Sequence, residues 1–349
     1  MYGVLIVRKN DIGLLYKIDL ESMSKYFDNK DAFMEPTVSQ YGGHMVMTNV
    51  HKPSKTKIIN IDTRFKDDFN VHRNTNANVN LPESYALSVP QNYTFTLPER
   101  ITEVRSLTVV NAEIPMSFNN ICQNFGNNTF TISWEGGSTV VTIPDGQYSN
   151  NSSLMDAMNG IEGVSSALSN AGISDLSFNI VNNYGVFTNN SEGTYTITFN
   201  VSLTGDFDKY NLKSKLGWLL GFRNLSYTVG PSNSIKGECI IDLTGPKYLY
   251  LVIDEFSKGN QTSFLTPNSR GFTSKNVVSK ITLDKTHFPL SNSVVLPANL
   301  FNGHLLSDNR SYTGKIDIQK LTVQLLNDYG VPVDLNGMDF SFAIEVVHE

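Results

Sequence analysis

The sequence predicts a mainly β protein: a β-sandwich interrupted by an inserted α+β subdomain and preceded by an extended N-terminal arm. Three observations carry that prediction. Of 349 residues, 17% are charged and 40% hydrophobic, and with Asn, Ser and Thr abundant this favours strands and turns over salt-bridged helices. Short alternating apolar runs recur on both sides of a central stretch. That stretch, DLTGPKYLYLVIDEF from Asp242 to Phe256, sets Tyr248–Ile253 between a Gly-Pro turn and two acids. With no strongly polar residue inside, the run reads as a strand covered on both faces.

Residues 1–56 read as an arm. Tyr2–Val7 can add a strand to a sheet edge, its own or a neighbour's. Leu15, Ile18, Met23, Tyr26 and Phe27 place a helical stripe over Gly13–Asn29. Phe33–Pro53 has no period, and a segment that long without its own core is either disordered or packed on something. Tyr41, Met45 and Met47 favour packing, because adaptable apolar side chains suit docking. Lys52, Lys55 and Lys57 form a basic knot, read either as a solvated loop or as a phosphate or partner contact. These six residues are the candidate assembly contacts.

The sandwich is assigned to residues 57–127 and 224–349. Lys57–Asp62 is its first expected strand. Tyr93–Leu97 is the second, ended by Pro98, and Arg105–Glu113 the third, ended by Pro115. After the central strand come Lys275–Leu283, Ile316–Leu326 with a bulge at Lys320, and Phe340–Val346, which alternates cleanly. Ser291–Asp308 is expected to be a loop. Seven or eight strands suit a two-sheet sandwich, and eight suit a jelly-roll-like one.

Residues 128–223 are assigned to the insertion. Thr129–Trp134 and Thr139–Ile143 flank a Glu-Gly-Gly turn. Ser152 or Ser153 is expected to cap a helix carrying Leu154, Met158, Ile161 and Leu168 on one face. Leu176–Val181 and Gly185–Phe187 flank Asn182-Asn183 as a second hairpin. Tyr195, Ile197 and Phe199 alternate with threonines, and Tyr210–Leu220 is expected to form a short helix ended by Gly221.

Net charge is −6 and unevenly spread. Residues 76–205 hold two basic against ten acidic residues, residues 1–75 eleven against nine, and residues 206–349 fourteen of each. Wrapping DNA needs several Lys or Arg per site to release counterions, so no specific nucleic acid partner is expected. Cys122 and Cys239 are too few for a disulfide framework or a cysteine-built zinc site, and reduced thiols are expected. The apolar run before Arg8-Lys9 is too short for a signal-peptide core, and no stretch is long enough to span a membrane. The Asn-x-Ser/Thr triplets at Asn92, Asn127, Asn200, Asn224 and Asn260 read as by-products of composition.

Catalytic signatures are missing. His44, His51, His72, His287, His304 and His348 form no His-x-x-x-His pair. Glu345 and His348 have Glu-x-x-His spacing, but at a strand end it gathers no ligands on one face. No nucleophile elbow, phosphate loop or dinucleotide fingerprint occurs. Asp206 and Asp208 supply too few oxygens for Ca²⁺ and read as a helix cap. Asp254 and Glu255 point to opposite faces of a strand, so they read as a solvated strand end rather than a glycosidase pair. Tyr248 and Tyr250 are weighed as a sugar-stacking platform against core packing, and the apolar run favours packing. No enzyme activity, cofactor or metal is expected.

The blocks KIINIDTRFKDDF, YTFTLPERITEVRSLTVVNAEIP, NTFTI, VTIPDGQYS, LGWLLGF, DLTGPKYLYLVIDEF and GKIDIQKLTVQLLNDYGVPVDLNGMDFSFAIEV occur in that order. Together they resemble capsid structural proteins of the nucleocytoplasmic large DNA viruses, in particular the minor capsid proteins of chloroviruses and their relatives. The resemblance covers about residues 55–349 and brings no catalytic residues. It implies a jelly-roll-like sandwich built into an icosahedral shell, located in the virion and assembled in the host cytoplasm. The implied role is to cement or scaffold the shell by binding major capsid protein capsomers and neighbouring minor capsid proteins. Self-association and proximity to an inner viral membrane stay open. A penton or vertex subunit is a variant of this role. A host-attachment, carbohydrate-binding module on the virion is the alternative.

Overall fold

A computed structural model describes residues 4–9, 12–17, 53–66, 93–159, 169, 175–202, 205–206, 208, 212–256, 267–268, 271–272 and 276–349. The chain divides into two units, Met1–Pro53 and Ser54–Glu349. In the first, β1 (Val4–Lys9) and β2 (Ile12–Lys17) pair antiparallel from Val4↔Lys17 to Lys9↔Ile12. The helix expected over Gly13–Asn29 is overturned at residues 13–17, where a strand partner supplies the backbone bonds. The remainder of that expected helix lies outside the described residues.

The second unit is mainly β. It begins with β3 (Lys55–Asp62), β4 (Tyr93–Pro115), β5 (Thr129–Trp134), β6 (Gly137–Thr142) and helix α1 (Asn151–Asn159). Then come β7 (Leu176–Val181), β8 (Tyr184–Asn189), β9 (Tyr195–Thr198), α2 (Leu216–Leu219), β10 (Ser226–Val229) and β11 (Ser234–Lys236). The central strand is β12 (Tyr248–Asp254), followed by β13 (Pro267–Asn268), β14 (Gly271–Phe272) and β15 (Val277–Thr282). β16 (Val295–Asn299), β17 (Leu305–Ser307), β18 (Arg310–Asn327) and β19 (Ser341–His348) complete the unit.

Eight strands form one sheet in the order β17-β15-β12-β18-β4-β19-β3, with β16 pairing to β4 beyond the start of β18. The sheet is curled. β17, last on the path, returns to β4, where Val109 N donates to Ser307 Oγ at 3.1 Å and Thr108 Oγ1 to Asn309 Oδ1 at 3.2 Å. Curling encloses one core, built from Leu107 and Val109 of β4, Leu249, Leu251 and Ile253 of β12, Leu321 and Val323 of β18, and Phe342 and Ile344 of β19. The sandwich is therefore jelly-roll-like, but its two layers belong to one hydrogen-bonded sheet. The long strands β4 and β18, of 23 and 18 residues, run through both layers.

β12 is buried along its length, as its composition predicts. β4 fuses two expected strands and passes through Pro98. Its ladder with β18 steps irregularly there, from Thr96↔Lys320 to Ile101↔Ile318, so the missing amide falls where the pairing is interrupted. The stretch expected to be the loop Ser291–Asp308 contains β16 and β17, with Leu296 and Ala298 buried.

The inserted lobe has its own core. Sheets β10-β9-β5-β6 and β11-β8-β7 share buried Phe130, Phe178, Phe187, Phe199 and Phe222. Phe199 and Phe222 stack at 5.0 Å between centroids. The α1 cap is Asn150, whose Oδ1 accepts from Ser153 N at 2.9 Å, and not Ser152 or Ser153. Asn182 and Asn183 take φ of 50° and 65°, the turn a tight hairpin requires. Of the helix expected over Tyr210–Leu220, α2 keeps Leu216–Leu219, after a 3-10 turn at Leu212–Ser214. Gly221 ends it at φ +92°, where a Cβ would lie 2.0 Å from Cys239 O. β10 and β11 pair with β9 and β8, so hydrogen bonding carries this lobe past residue 223.

Arg310 opens β18 and is among the largest fully buried side chains. Its Nη1 donates to Ile253 O at 2.9 Å and to Glu255 Oε2 at 2.8 Å, and Nη2 reaches Val277 O at 3.4 Å. Glu255 is thus buried, contrary to the solvated strand end expected. Asp254 makes the turn instead, accepting from Phe256 N at 2.8 Å. Removing one member of a buried ion pair strands the other. Arg310→Met is expected to lower unfolding free energy by about 3–5 kcal/mol in denaturant melts, and Glu255→Leu added to it to recover most of that loss. A single variant as stable as the parent would refute the clamp.

Candidate assembly surface

Tyr41, Met45, Met47 and Lys52 lie outside the described residues. Lys55 and Lys57 are on β3. This strand pairs with β19 from Asp62↔Ser341 to Lys55↔His348, and among the described residues no strand occupies its other edge. Lys57 Nζ donates to Glu99 Oε2 at 2.9 Å, which holds Glu99 below the usual carboxylate range. Asp62 and Arg64 form a forked pair at the far end of the strand, and hydrogen bonding from Arg64 lowers the Asp62 pKa. Ile58 is 66% exposed and Phe65, just past the strand, 76%. Neither was singled out from the sequence, where an apolar run at the start of a domain signals a strand without saying which edge it occupies.

A second apolar surface lies between β16 and β17. Phe301 is fully exposed beside Leu300, with Leu306 exposed on β17. The loop is pinned by two asparagines. Asn299 Oδ1 accepts from Phe301 N and Asn302 N, each at 2.9 Å, and Asn302 Oδ1 accepts from Asn299 N and His304 N, each at 3.1 Å. Asn302 Nδ2 donates to Pro297 O at 2.5 Å. The available signal was two Asn bracketing an apolar pair ahead of Gly303, a turn that presents its apolar residues.

A cleft of about 130 Å³ opens beside Gly245-Pro246, lined by residues that include Trp218, Asp242, Lys247, Asp328 and Tyr329. Gly245 takes φ +63°, and a Cβ there would meet Asn120 Cβ at 2.7 Å. Tyr329 Oη donates to Lys213 O at 3.0 Å, tying the sheet to the lobe. Asp328 Oδ2 accepts from Lys247 N at 3.3 Å, its Oδ1 is buried without a partner, and burial raises its pKa. Lys285 Nζ donates to Pro246 O at 2.5 Å. Burial pulls the Lys285 pKa down to about 8, with Asp328 and Asp242 opposing.

These charges act as clamps. Among the described residues no group of three or more His, Cys, Asp or Glu is placed to hold a metal. Asp208 pairs with buried Lys215 at 3.0 Å, and Lys215 Nζ also donates to Val201 O at 2.8 Å; the helix start that Asp206 and Asp208 are expected to cap lies outside the described residues. Tyr250 is buried with Val252, Val277 and Leu326. Tyr248 lies under Lys280 Nζ at 4.2 Å. The two tyrosines pack, as expected, and form no open platform. Cys122 and Cys239 are free, and burial pushes the Cys122 thiol up to about 12.

No family model and no curated protein sequence matches the chain. Among solved structures it is similar to the mavirus penton protein, in a crystal structure of the selenomethionine form. The TM-score is 0.36 and the identity 11%, over 85% of this chain and 99% of that one. Likeness at that level does not establish a shared fold or role.

Lys285 titrates near 8 when folded and near 10.5 as an isolated side chain. Across that window the unfolded chain binds more protons, so this residue makes stability rise with pH. With solvent screening discounted, the rise between pH 8 and 10 is expected to be about 1–2 kcal/mol larger in the parent than in Lys285→Met, measured by denaturant melts. Parallel pH dependence in the two proteins would show that the ammonium is not held down.

Proposed function

We propose that the chain is a structural protein of a viral capsid, a minor capsid protein that cements or scaffolds the shell by binding the major capsid protein and neighbouring minor proteins. The observation that carries this reading is the placement of the ordered sequence blocks. KIINID is β3, YTFTL through NAEIP is β4, YLYLVID is β12, and the last block holds β18 and β19. Four of the seven blocks thus fall on the curled sheet, while NTFTI, VTIPDGQYS and LGWLLGF fall on the lobe. The surface supports the same reading: it offers an open edge strand and a pinned apolar tip, features suited to protein contact.

The reading places the chain in the virion, assembled in the host cytoplasm. Locating the full chain in a virion map by cryo-EM tests it. Density beneath or between capsomers supports cementing, and density at five-fold vertices supports the penton variant. A solvent-facing outer position with saturable glycan binding would overturn both in favour of attachment. Deleting residues 1–54 is expected to leave a cooperative thermal melt and a β circular dichroism spectrum, while shell incorporation falls by about tenfold through loss of a linked contact. Unfolding on deletion would instead assign the arm to the core.

A further inference from the structure

We infer that β3 is a self-pairing edge: two copies of this chain join their β3 strands antiparallel about a two-fold axis, with Ile58 opposite Ile58. Natural sheets blunt exposed edges with proline, bulges, short strands or projecting lysines. β3 has eight residues, KTKIINID, with no proline, and its register with β19 is unbroken over all eight. Of its two lysines, Lys57 is drawn onto Glu99 at 2.9 Å. The edge also exposes apolar surface at Ile58 and Phe65 that nothing among the described residues covers.

The sequence of the strand selects the partner and the register. A two-fold axis normal to the sheet preserves its faces, so residues directly opposite must share parity. Centring the axis on Ile58 sets Lys57 against Ile59, Thr56 against Asn60 and Lys55 against Ile61. The two exposed isoleucines then bury each other. The two Lys55 residues stand six positions apart, about 20 Å, well beyond a screening length of about 8 Å. Each Lys55 instead meets the Asp62–Arg64 end of the other copy. Parallel pairing would stack Lys55 on Lys55 and Lys57 on Lys57, which like charges oppose. A single strand edge buries less than the roughly 800 Å² per partner of a standard interface, so the dimer forms at high protein concentration or where neighbours add contacts.

The pairing belongs to the isolated full chain, and its test needs no virion. Sedimentation of the parent across micromolar to millimolar concentration is expected to show a monomer–dimer equilibrium. Ile58→Lys and Ile58→Glu, each alone, are expected to weaken it at least about tenfold, with circular dichroism unchanged because residue 58 is exposed. Mixing the two variants should restore the dimer, since position 58 faces itself. In Ile58→Cys, a short bismaleimide should yield a covalent dimer joined Cys to Cys at position 58, absent from the parent. A parent that stays monomeric throughout, a mixture that fails to pair, or a crosslink from position 58 to another residue would each overturn the inference. In the last result the crosslink would fall on Cys122 or Cys239 and assign the edge to the segment that carries that thiol.

Discussion

The buried guanidinium of Arg310 is the constraint on which the curled sheet depends. A sheet that wraps must return to itself, and the return happens where β17 gives way to β18. Arg310 pairs in register with Leu107 of β4 while its side chain binds the ends of β12 and β15. One residue thus holds the two ends of the curl at a fixed separation. Glu255 neutralises that charge at 2.8 Å and the Ile253 and Val277 carbonyls take further donors, while Arg310 Nε and Glu255 Oε1 are buried without a partner, so part of the desolvation cost is left uncompensated.

A second constraint lies where the chain leaves the sheet for the lobe. Residues 116–128 are irregular yet mostly buried, so their backbone groups need partners other than a ladder. Side-chain amides supply them. Asn120 donates to Tyr148 O and Leu243 O, at 2.9 and 2.6 Å, and accepts from Tyr148 N at 2.8 Å. Asn127 donates to Asn120 O and accepts from Cys122 N, both at 2.8 Å. Gln147 and Asn336 both donate to Ser117 O, at 2.7 and 2.6 Å. The asparagine content that looks like turn chemistry in the sequence is here partly interior joinery. Asn127 and Asn200, in two of the Asn-x-Ser/Thr triplets, are buried.

Among the described residues the three most exposed large apolar side chains, Phe301, Phe65 and Ile58, lie outside the cleft. At the cleft Asp328 Oδ2 is bonded to the Lys247 amide while its Oδ1 is buried without a partner, and the tyrosine face of β12 is packed. Apolar side chains are exposed on β3 and on the Phe301 loop, and also at Ile240 and Phe256.

Local pattern determined much of this protein. β12, the hairpins around Glu135-Gly136 and Asn182-Asn183, and the alternation of Phe342, Ile344 and Val346 are legible because side-chain period and turn chemistry are properties of adjacent residues. So is the lack of catalytic motifs. Tertiary structure decided what depends on distant pairing: that strands on either side of Pro98 fuse into β4, that two layers share one sheet, and that β10 and β11 join the lobe. It also decided that Glu255 is buried against a residue 55 positions away. Of the six candidate contacts, Lys55 and Lys57 fall on an open edge. That edge could not be read from sequence, because a strand's edge position is set by which strands fail to pair with it.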